Sequence, residues 1–299
     1  MHPPSHRLVR AGLFVSTILV AAPLFAQPGG KGPANTAEAA FSYSGSSDAE
    51  FAGRTAGDLS VSAARVEVKL NRAVRQNLFI SYGGSYQRFA VDASSVVPVP
   101  ETLQAVSFEL GATRLIDSKW SATVAVSPGF YSVGTSIDGD AFNLPGVLFA
   151  TWRATPTFGL SGGLRFDAFS DNAVLPFIGF RWQATPEVTV SFGAPRTEVA
   201  YSLGSGSDLY FGASFQGGSF RTDDPGVRPP TGYPSLRDTY LDYREIRVGG
   251  GIRWAFSPTM RLDLEAGWMV DRRFDYYDRS LEVKTDGAVY GRVGLTAKF

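Results

Sequence analysis

The sequence predicts an all-β chain: an antiparallel transmembrane β-barrel of about fourteen strands behind an N-terminal signal peptide. Three observations carry that prediction. From about residue 37 onward, apolar and polar residues alternate with a period of two in segment after segment, and no stretch sustains a 3.6-residue period. The breaks between segments alternate between tight turns and longer polar loops, as in barrels with short turns on one membrane face and long loops on the other. Four of the five tryptophans stand at the same end of successive strand pairs, where amphipathic rings suit a membrane interface.

The N-terminus comes first. His6, Arg7 and Arg10 form a basic lead, and residues 11–22 are uncharged and about as long as the apolar region of a signal peptide. Cleavage is expected near Ala26, although Leu24 is larger than the small residue usual at that position. This divides the chain into a signal peptide (1–26), a flexible periplasmic segment (27–36) and the barrel (37–299).

The strands follow in order at 37–45, 59–72 and 77–90. In 102–117, Val106, Phe108, Leu110 and Ala112 face one way and Ser107, Glu109, Gly111 and Thr113 the other. In 120–133, Trp120, Ala122, Val124, Val126 and Phe130 share a face. The pattern continues through 144–154, 158–167, 174–184, 187–194, 197–204, 208–221, 238–256, 259–271 and 288–299. The weakest pair is 187–194 and 197–204, two short runs parted by Pro195; without both, twelve strands remain. Tight turns fall at 117–119, 154–157, 184–187, 204–207 and 257–259, and loops at 45–57, 90–101, 134–143, 222–237 and 271–287. An even strand number places both termini on the periplasmic side.

Three of the tight turns repeat Trp-x-x-x-Pro, at Trp152–Pro156, Trp182–Pro186 and Trp254–Pro258, and Trp120 follows a fourth turn. These tryptophans are read as one interface girdle, with Tyr86, Phe89, Tyr131 and Trp268 at the other end. In the last strand Val293, Leu295, Ala297 and Phe299 alternate with Arg292, Gly294, Thr296 and Lys298. A terminal Phe299 closing such a strand resembles the assembly signal of bacterial outer-membrane barrels. It implies the barrel assembly machinery and outer-membrane lipid as partners.

Residues 174–203, with a Pro-hydrophobic-Gly opening, a Trp-x-x-x-Pro turn, a later Gly-x-Pro and a Tyr before a polar turn, resemble an uncharacterised family of bacterial outer-membrane barrels catalogued as a domain of unknown function. The resemblance covers residues 37–299. It implies fold and outer-membrane address and supplies no catalytic or binding residues.

Composition narrows the chemistry. The chain has no Cys, and its only histidines, His2 and His6, lie in the expected signal peptide ahead of its apolar stretch. Ser-His and Cys-His nucleophilic catalysis and Cys/His metal sites are therefore excluded from the mature chain. Lys plus Arg and Asp plus Glu balance at 28 each, which gives no argument for nucleic acid. No enzyme activity and no cofactor are expected.

Inward parity falls to Arg65, Glu67, Lys69, Glu109, Arg153, Arg165, Asp167, Arg181, Glu245, Arg247, Arg253, Arg261, Asp263, Glu265, Arg292 and Lys298. This mixed, slightly cationic lumen suits a passive or substrate-selective channel for small polar or ionic solutes. The alternative is a closed barrel, its charges paired in the interior, with a structural or surface-interaction role through its long loops. Asp263 and Glu265 share a strand face as an acid-base pair would, but Arg261 beside them favours a satisfied charge ladder. Asp138 with Asp140, and Asp223 with Asp224, are loop acids that suit a divalent cation without matching a full calcium-loop spacing. Phe274, Tyr276 and Tyr277 among Arg272, Arg273 and Arg279 make an aromatic-cationic loop suited to a sugar or partner, or to folding over the barrel mouth.

Overall fold

The computed structural model describes residues 34–223, 226–227 and 229–299; the signal region, its cleavage site, residues 27–33 and Asp224 lie outside these. The strands, with the intervening 3-10 turns Gly139–Ala141 and Tyr277–Arg279, are β1 (Thr36–Phe51), β2 (Arg54–Arg75), β3 (Leu78–Ala93), β4 (Thr102–Leu115), β5 (Trp120–Val126), β6 (Gly129–Val133), β7 (Phe142–Asn143), β8 (Gly146–Arg153), β9 (Phe158–Phe166), β10 (Val174–Gln183), β11 (Val188–Phe192), β12 (Arg196–Gly204), β13 (Ser207–Thr222), β14 (Thr239–Ala255), β15 (Met260–Tyr276), β16 (Leu281–Thr285) and β17 (Ala288–Lys298). They form one sheet that closes on itself, with Thr36 paired to Lys69 on one side and to Lys298 on the other.

The seventeen pieces make fourteen staves, because β5–β6, β7–β8 and β16–β17 are each one stave in two parts. Pro128 and Pro145 explain two of the breaks. Proline has no N–H to donate to a ladder, so the neighbours bond only its carbonyl: Phe108 N to Pro128 O and Ser127 N to Pro145 O. The uncertain pair at Pro195 stands in the wall as β11 and β12, with Val190 paired to Trp182 and Val199. The count is fourteen, not twelve.

Two segments expected as loops, 45–57 and 271–287, are mostly strand. β1 and β2 meet in a hairpin at Phe51 and Arg54, and β15 runs to Tyr276. Register shifts at Ser44/Ser47 and opposite Ile246/Arg247 insert extra residues, including Val270. Such bulges flip the parity of everything beyond them, so the period-two pattern breaks off in the sequence while the strand continues.

The outer surface is an apolar belt in which Phe108, Ile178, Phe211 and Val289 are exposed, as a barrel in lipid requires. At the end bearing the tight turns, where β1 begins and β17 ends, the barrel has its full girth. At the loop end it does not. β13 pairs with β12 up to Ser214; its last tie to that side is Phe215 N to Pro195 O at 2.8 Å. It then crosses the interior, and Arg221 pairs in parallel with Ser132 of β6. Gly217 lies in this segment with φ +153°, and a Cβ there would overlap the carbonyl of Tyr243.

The loop-end parts of β1–β4, β6 and β13–β16 thus close a smaller ring. A ring this narrow can be filled by side chains. Leu59, Phe89, Leu103, Phe220, Tyr243 and Phe274 fill it, each at most 2% exposed. The ring of Phe89 meets those of Phe220 at 6.2 Å and Tyr243 at 4.8 Å, near the preferred edge-to-face geometry. Phe89 therefore belongs to this plug and not to an outer girdle, since it has the opposite parity to the exposed Tyr86. Tyr131 is likewise turned inward, its hydroxyl donating to Ser127 O at 2.9 Å.

Candidate functional site

Below the plug the lumen has two kinds of wall. From β12 round to β1, charged groups interlock. The Arg196 guanidinium bonds Glu265 and reaches Glu198, which also receives Arg253. Tyr210 donates to Asp263 at 2.6 Å and Glu265 at 2.9 Å, with the Arg253 guanidinium 4.1 Å from its ring centre. Tyr290 donates to Glu265 at 2.6 Å, and Arg292 ties Asp263 (2.8 Å) to Glu38 (3.2 Å). Just under the plug the fully buried Glu245 accepts from Arg247 at 2.7 Å, Ser44 and Tyr243 at 2.5 Å each, and Arg272 at 3.4 Å. Across the lumen, Arg65 pairs with Glu67 and Lys69 with Glu109.

From β4 to β11 the inner wall is mostly hydroxyl and glycine. Thr113 meets Thr123 at 3.0 Å and Thr151 meets Ser161 at 2.9 Å. A cavity of about 630 Å³, counted with the space open to solvent, reaches from Glu67 and Glu109 past Ser107 and Tyr131 to Gly217–Phe220 on the underside of the crossing strand. Asp167, paired with Arg165 and accepting from Asn143 at 2.7 Å, stands at its edge.

The crossing of β13 leaves a gap in the hydrogen-bonded wall. β11 has only five residues and reaches no higher than Phe192, opposite Phe180 of β10. Above that, β10 from Val174 to Gly179 pairs with β9 alone, a span of roughly 20 Å along the strand. Residues 193–195 form the sill. A Cβ on Gly179 would lie 2.7 Å from the Phe192 carbonyl and 3.5 Å from Gly193 Cα, so glycine at 179 lets the two backbones touch. Above the gap, residues 167–173 lean on the outside of β14: Phe169 packs 5.1 Å from Tyr240, and Ser170 Oγ and Asp171 N donate to Asp242 at 3.3 and 3.2 Å. The outer rim is apolar, with Ile178 60% and Phe211 63% exposed. The sill lies only two residues along β10 from Trp182.

Of the other inward candidates, Arg181 is exposed, Arg153 and Arg261 are half-buried, and Lys298 is exposed at the tight-turn end. Trp120, Trp152, Trp182, Trp254 and Trp268 are all exposed on the outside, the first two stacked at 6.1 Å. Phe299, 64% exposed, donates its N–H to Asn35 O. Asp263 and Glu265 are engaged by Arg292, Arg196 and two tyrosines, which leaves neither as a free acid or base. Among the described residues, which leave out Asp224, no three acids are grouped so as to hold a metal. Burial, the hydrogen bond with Asp138 and the nearby Asp140 push the Asp223 carboxyl above its ordinary range. Phe274 and Tyr276 are buried in the plug, while Tyr277 packs on Tyr240.

Sequence reasoning missed Glu38, Arg196, Glu198, Tyr210, Arg272 and Tyr290 as members of the network. Arg196 and Glu198 carried a signal, inward alternation directly after Pro195. Arg272 carried none, because the Val270 bulge hides its parity.

No curated protein sequence matches the chain. Among solved structures it is similar to a deltaS2S3 mutant of TodX, a monoaromatic hydrocarbon channel, with 11% identity, 93% of this chain and 94% of that one covered, and a TM-score of 0.53. It is also similar to an outer membrane channel from Pseudomonas putida F1, at 11% identity, 92% and 100% coverage and a TM-score of 0.47. At such identity the likeness to the TodX mutant speaks for the fold alone. The sequence profile of the domain of unknown function DUF6268 matches residues 41–287, the greater part of the barrel, and the chain belongs to that family.

Proposed function

We propose that the protein is an exported outer-membrane barrel serving as a passive conduit for small solutes, by a route that leaves the barrel sideways. The carrying observation is the pairing of a packed plug at the loop end with a wall gap at the depth of the apolar belt. Taking the tight-turn end as periplasmic, the path runs from the periplasmic mouth along the hydroxyl and glycine wall to the gap, and so into the outer leaflet. A solute on this path must be soluble in lipid. The cargo is accordingly small and apolar or weakly amphipathic, in place of the polar or ionic solutes that an axial pore would take. The TodX likeness accords with this, since that protein is described as a monoaromatic hydrocarbon channel.

On this reading residues 1–26 direct export and are removed near Ala26, the exposed tryptophans sit at the membrane interfaces, and Phe299 is read by the assembly machinery. The plug also favours the alternative of a closed barrel with a structural or surface role. One experiment separates the two. Cells with an intact lipopolysaccharide leaflet, expressing the full chain, are given the hydrophobic fluorophore 1-N-phenylnaphthylamine. A conduit speeds its uptake over control cells with the protein in the outer-membrane fraction; unchanged uptake with folded barrel present in that fraction refutes the conduit.

A further inference from the structure

We infer that Phe149 and Phe177 form a threshold on the inner side of the gap that takes one flat aromatic ring of the passing solute, an inference that rests on the conduit reading above. The wall from β4 to β11 is mostly hydroxyl and glycine, and these two rings depart from it. Phe149 on β8 and Phe177 on β10 are separated by β9, and Gly163 registers with both. A Cβ at 163 would stand 2.5 Å from Phe149 Cβ, so glycine there leaves room for the rings to close over β9. Their centroids are 6.1 Å apart at 60°, edge to face.

Phe177 lies on the part of β10 that has no β11 partner, two residues from Gly179 at the sill. On the outer side of the same sill Phe180 and Phe192 stack at 5.5 Å and 21°. A solute crossing the glycine sill therefore moves from rings inside to rings outside. Phe149 is 8% exposed and already covered, whereas Phe177 is only half-buried and has area to offer a guest. Ring quadrupoles favour offset or edge-to-face partners at such distances, by about two- to tenfold in an equilibrium over mere burial of the same area. The recognised class is thus a small aromatic hydrocarbon in preference to a saturated ring of equal size.

The test compares uptake of radiolabelled toluene and methylcyclohexane, which have equal carbon number, by cells expressing the full chain, with background from control cells subtracted. The toluene-to-methylcyclohexane uptake ratio of the native chain is expected to exceed that of folded Phe177→Leu by about two- to tenfold, the solutes' own partitioning being common to both. Phe177→Tyr, which keeps the ring, should retain the native ratio; heat-modifiable gel migration confirms a folded barrel for each. A native ratio retained in folded Phe177→Leu overturns the threshold and leaves the conduit standing. Should Phe177→Leu fail to fold, Phe177→Met, which also removes the ring, takes its place with the same two outcomes. If neither solute is taken up faster than in control cells, the conduit and the threshold fall together.

Discussion

Replacing Glu245 by Gln tests whether the loop end of the barrel is a dry plug or a wet pore. The Glu245 carboxylate is fully buried, as is Arg272, and Arg247 is 2% exposed, so one acid faces two guanidinium groups with little access to water. It also accepts from Ser44 and Tyr243. Removing one partner of a buried charge pair costs about 3–5 kcal/mol, because the charge left behind has lost both water and its counter-ion. The same change in a solvated pair costs about 0–1 kcal/mol. Glu245→Gln keeps the volume and one acceptor oxygen, so the loss is of charge and not of packing. Equilibrium unfolding of the refolded barrel in lipid vesicles should show destabilisation of about 3 kcal/mol or more. Adding Arg272→Met should recover part of it, with a coupling of about 0.5–3 kcal/mol between the two sites. Arg247 retains a face of the Tyr290 ring, at 5.0 Å, and so keeps some compensation in the double variant. A single variant within about 1 kcal/mol of the native chain would mean water reaches Glu245, and the plug would be refuted.

Further outcomes follow from other parts of the barrel. In a planar bilayer the native chain should give no steady ohmic steps, since the plug leaves no axial aqueous path; sustained ion-selective steps would sink that reasoning. Gly217→Ala should destabilise the barrel by about 1–3 kcal/mol in the same unfolding assay, through collision with the Tyr243 carbonyl, while Gly139→Ala, where a Cβ meets nothing within 4 Å, should stay within about 0.5 kcal/mol. In the turn before β5, Asp117 accepts from Lys119 N at 2.6 Å and Trp120 N at 2.7 Å, bonds that hold its carboxyl below the ordinary 3.8. Its stabilising effect is therefore present above that value and lost as pH falls through the lower folded value, and Asp117→Asn should remove this part of the acid sensitivity of melting. Asp223 has the opposite sign. Its raised carboxyl favours the protonated form in the fold, so Asp223→Asn should raise melting temperature at neutral pH and leave it unchanged in acid.

Much of the barrel was legible because lipid imposes one rule on every strand. Residues 104–116 and 120–126 alternate cleanly, and the Trp-x-x-x-Pro turns mark where staves end, so β4, β5 taken with β6, β8, β10 and β14 fall close to their expected bounds. What escaped was whatever breaks the alternation without breaking the strand. The Gly45–Ser46 bulge and the Val270 bulge turned two hairpins into supposed loops and hid Arg272 beneath Glu245. Assigning Phe89 and Tyr86 to one girdle overlooked that their spacing puts them on opposite faces. The crossing of β13 was beyond local reading altogether. Gln216, Gly217 and Gly218 look like any weak strand interior, and the partner that Arg221 meets, Ser132, is set by the whole sheet.

That crossing links the two features on which the functional reading depends. A strand has two edges, and β13 keeps β14 on one of them throughout its length. Its other edge serves β12 as far as Ser214 and then turns toward β6. Once it does, nothing remains for β12 to pair with above Arg196, and β11 and β12 end low; the plug and the gap are two results of one departure. Phe220, packed against Phe89, holds the crossing in place from within the plug. The same contact that packs the loop end therefore also holds β13 away from β12 where the wall pairing stops. If β13 stayed in the wall beside a longer β12, Phe220 would leave the core, the small ring would lose its seal, and the barrel would become an axial pore with an unbroken side. On the proposed reading, a single stave thus decides which way the lumen opens, and with it whether water-soluble or lipid-soluble molecules would find a path.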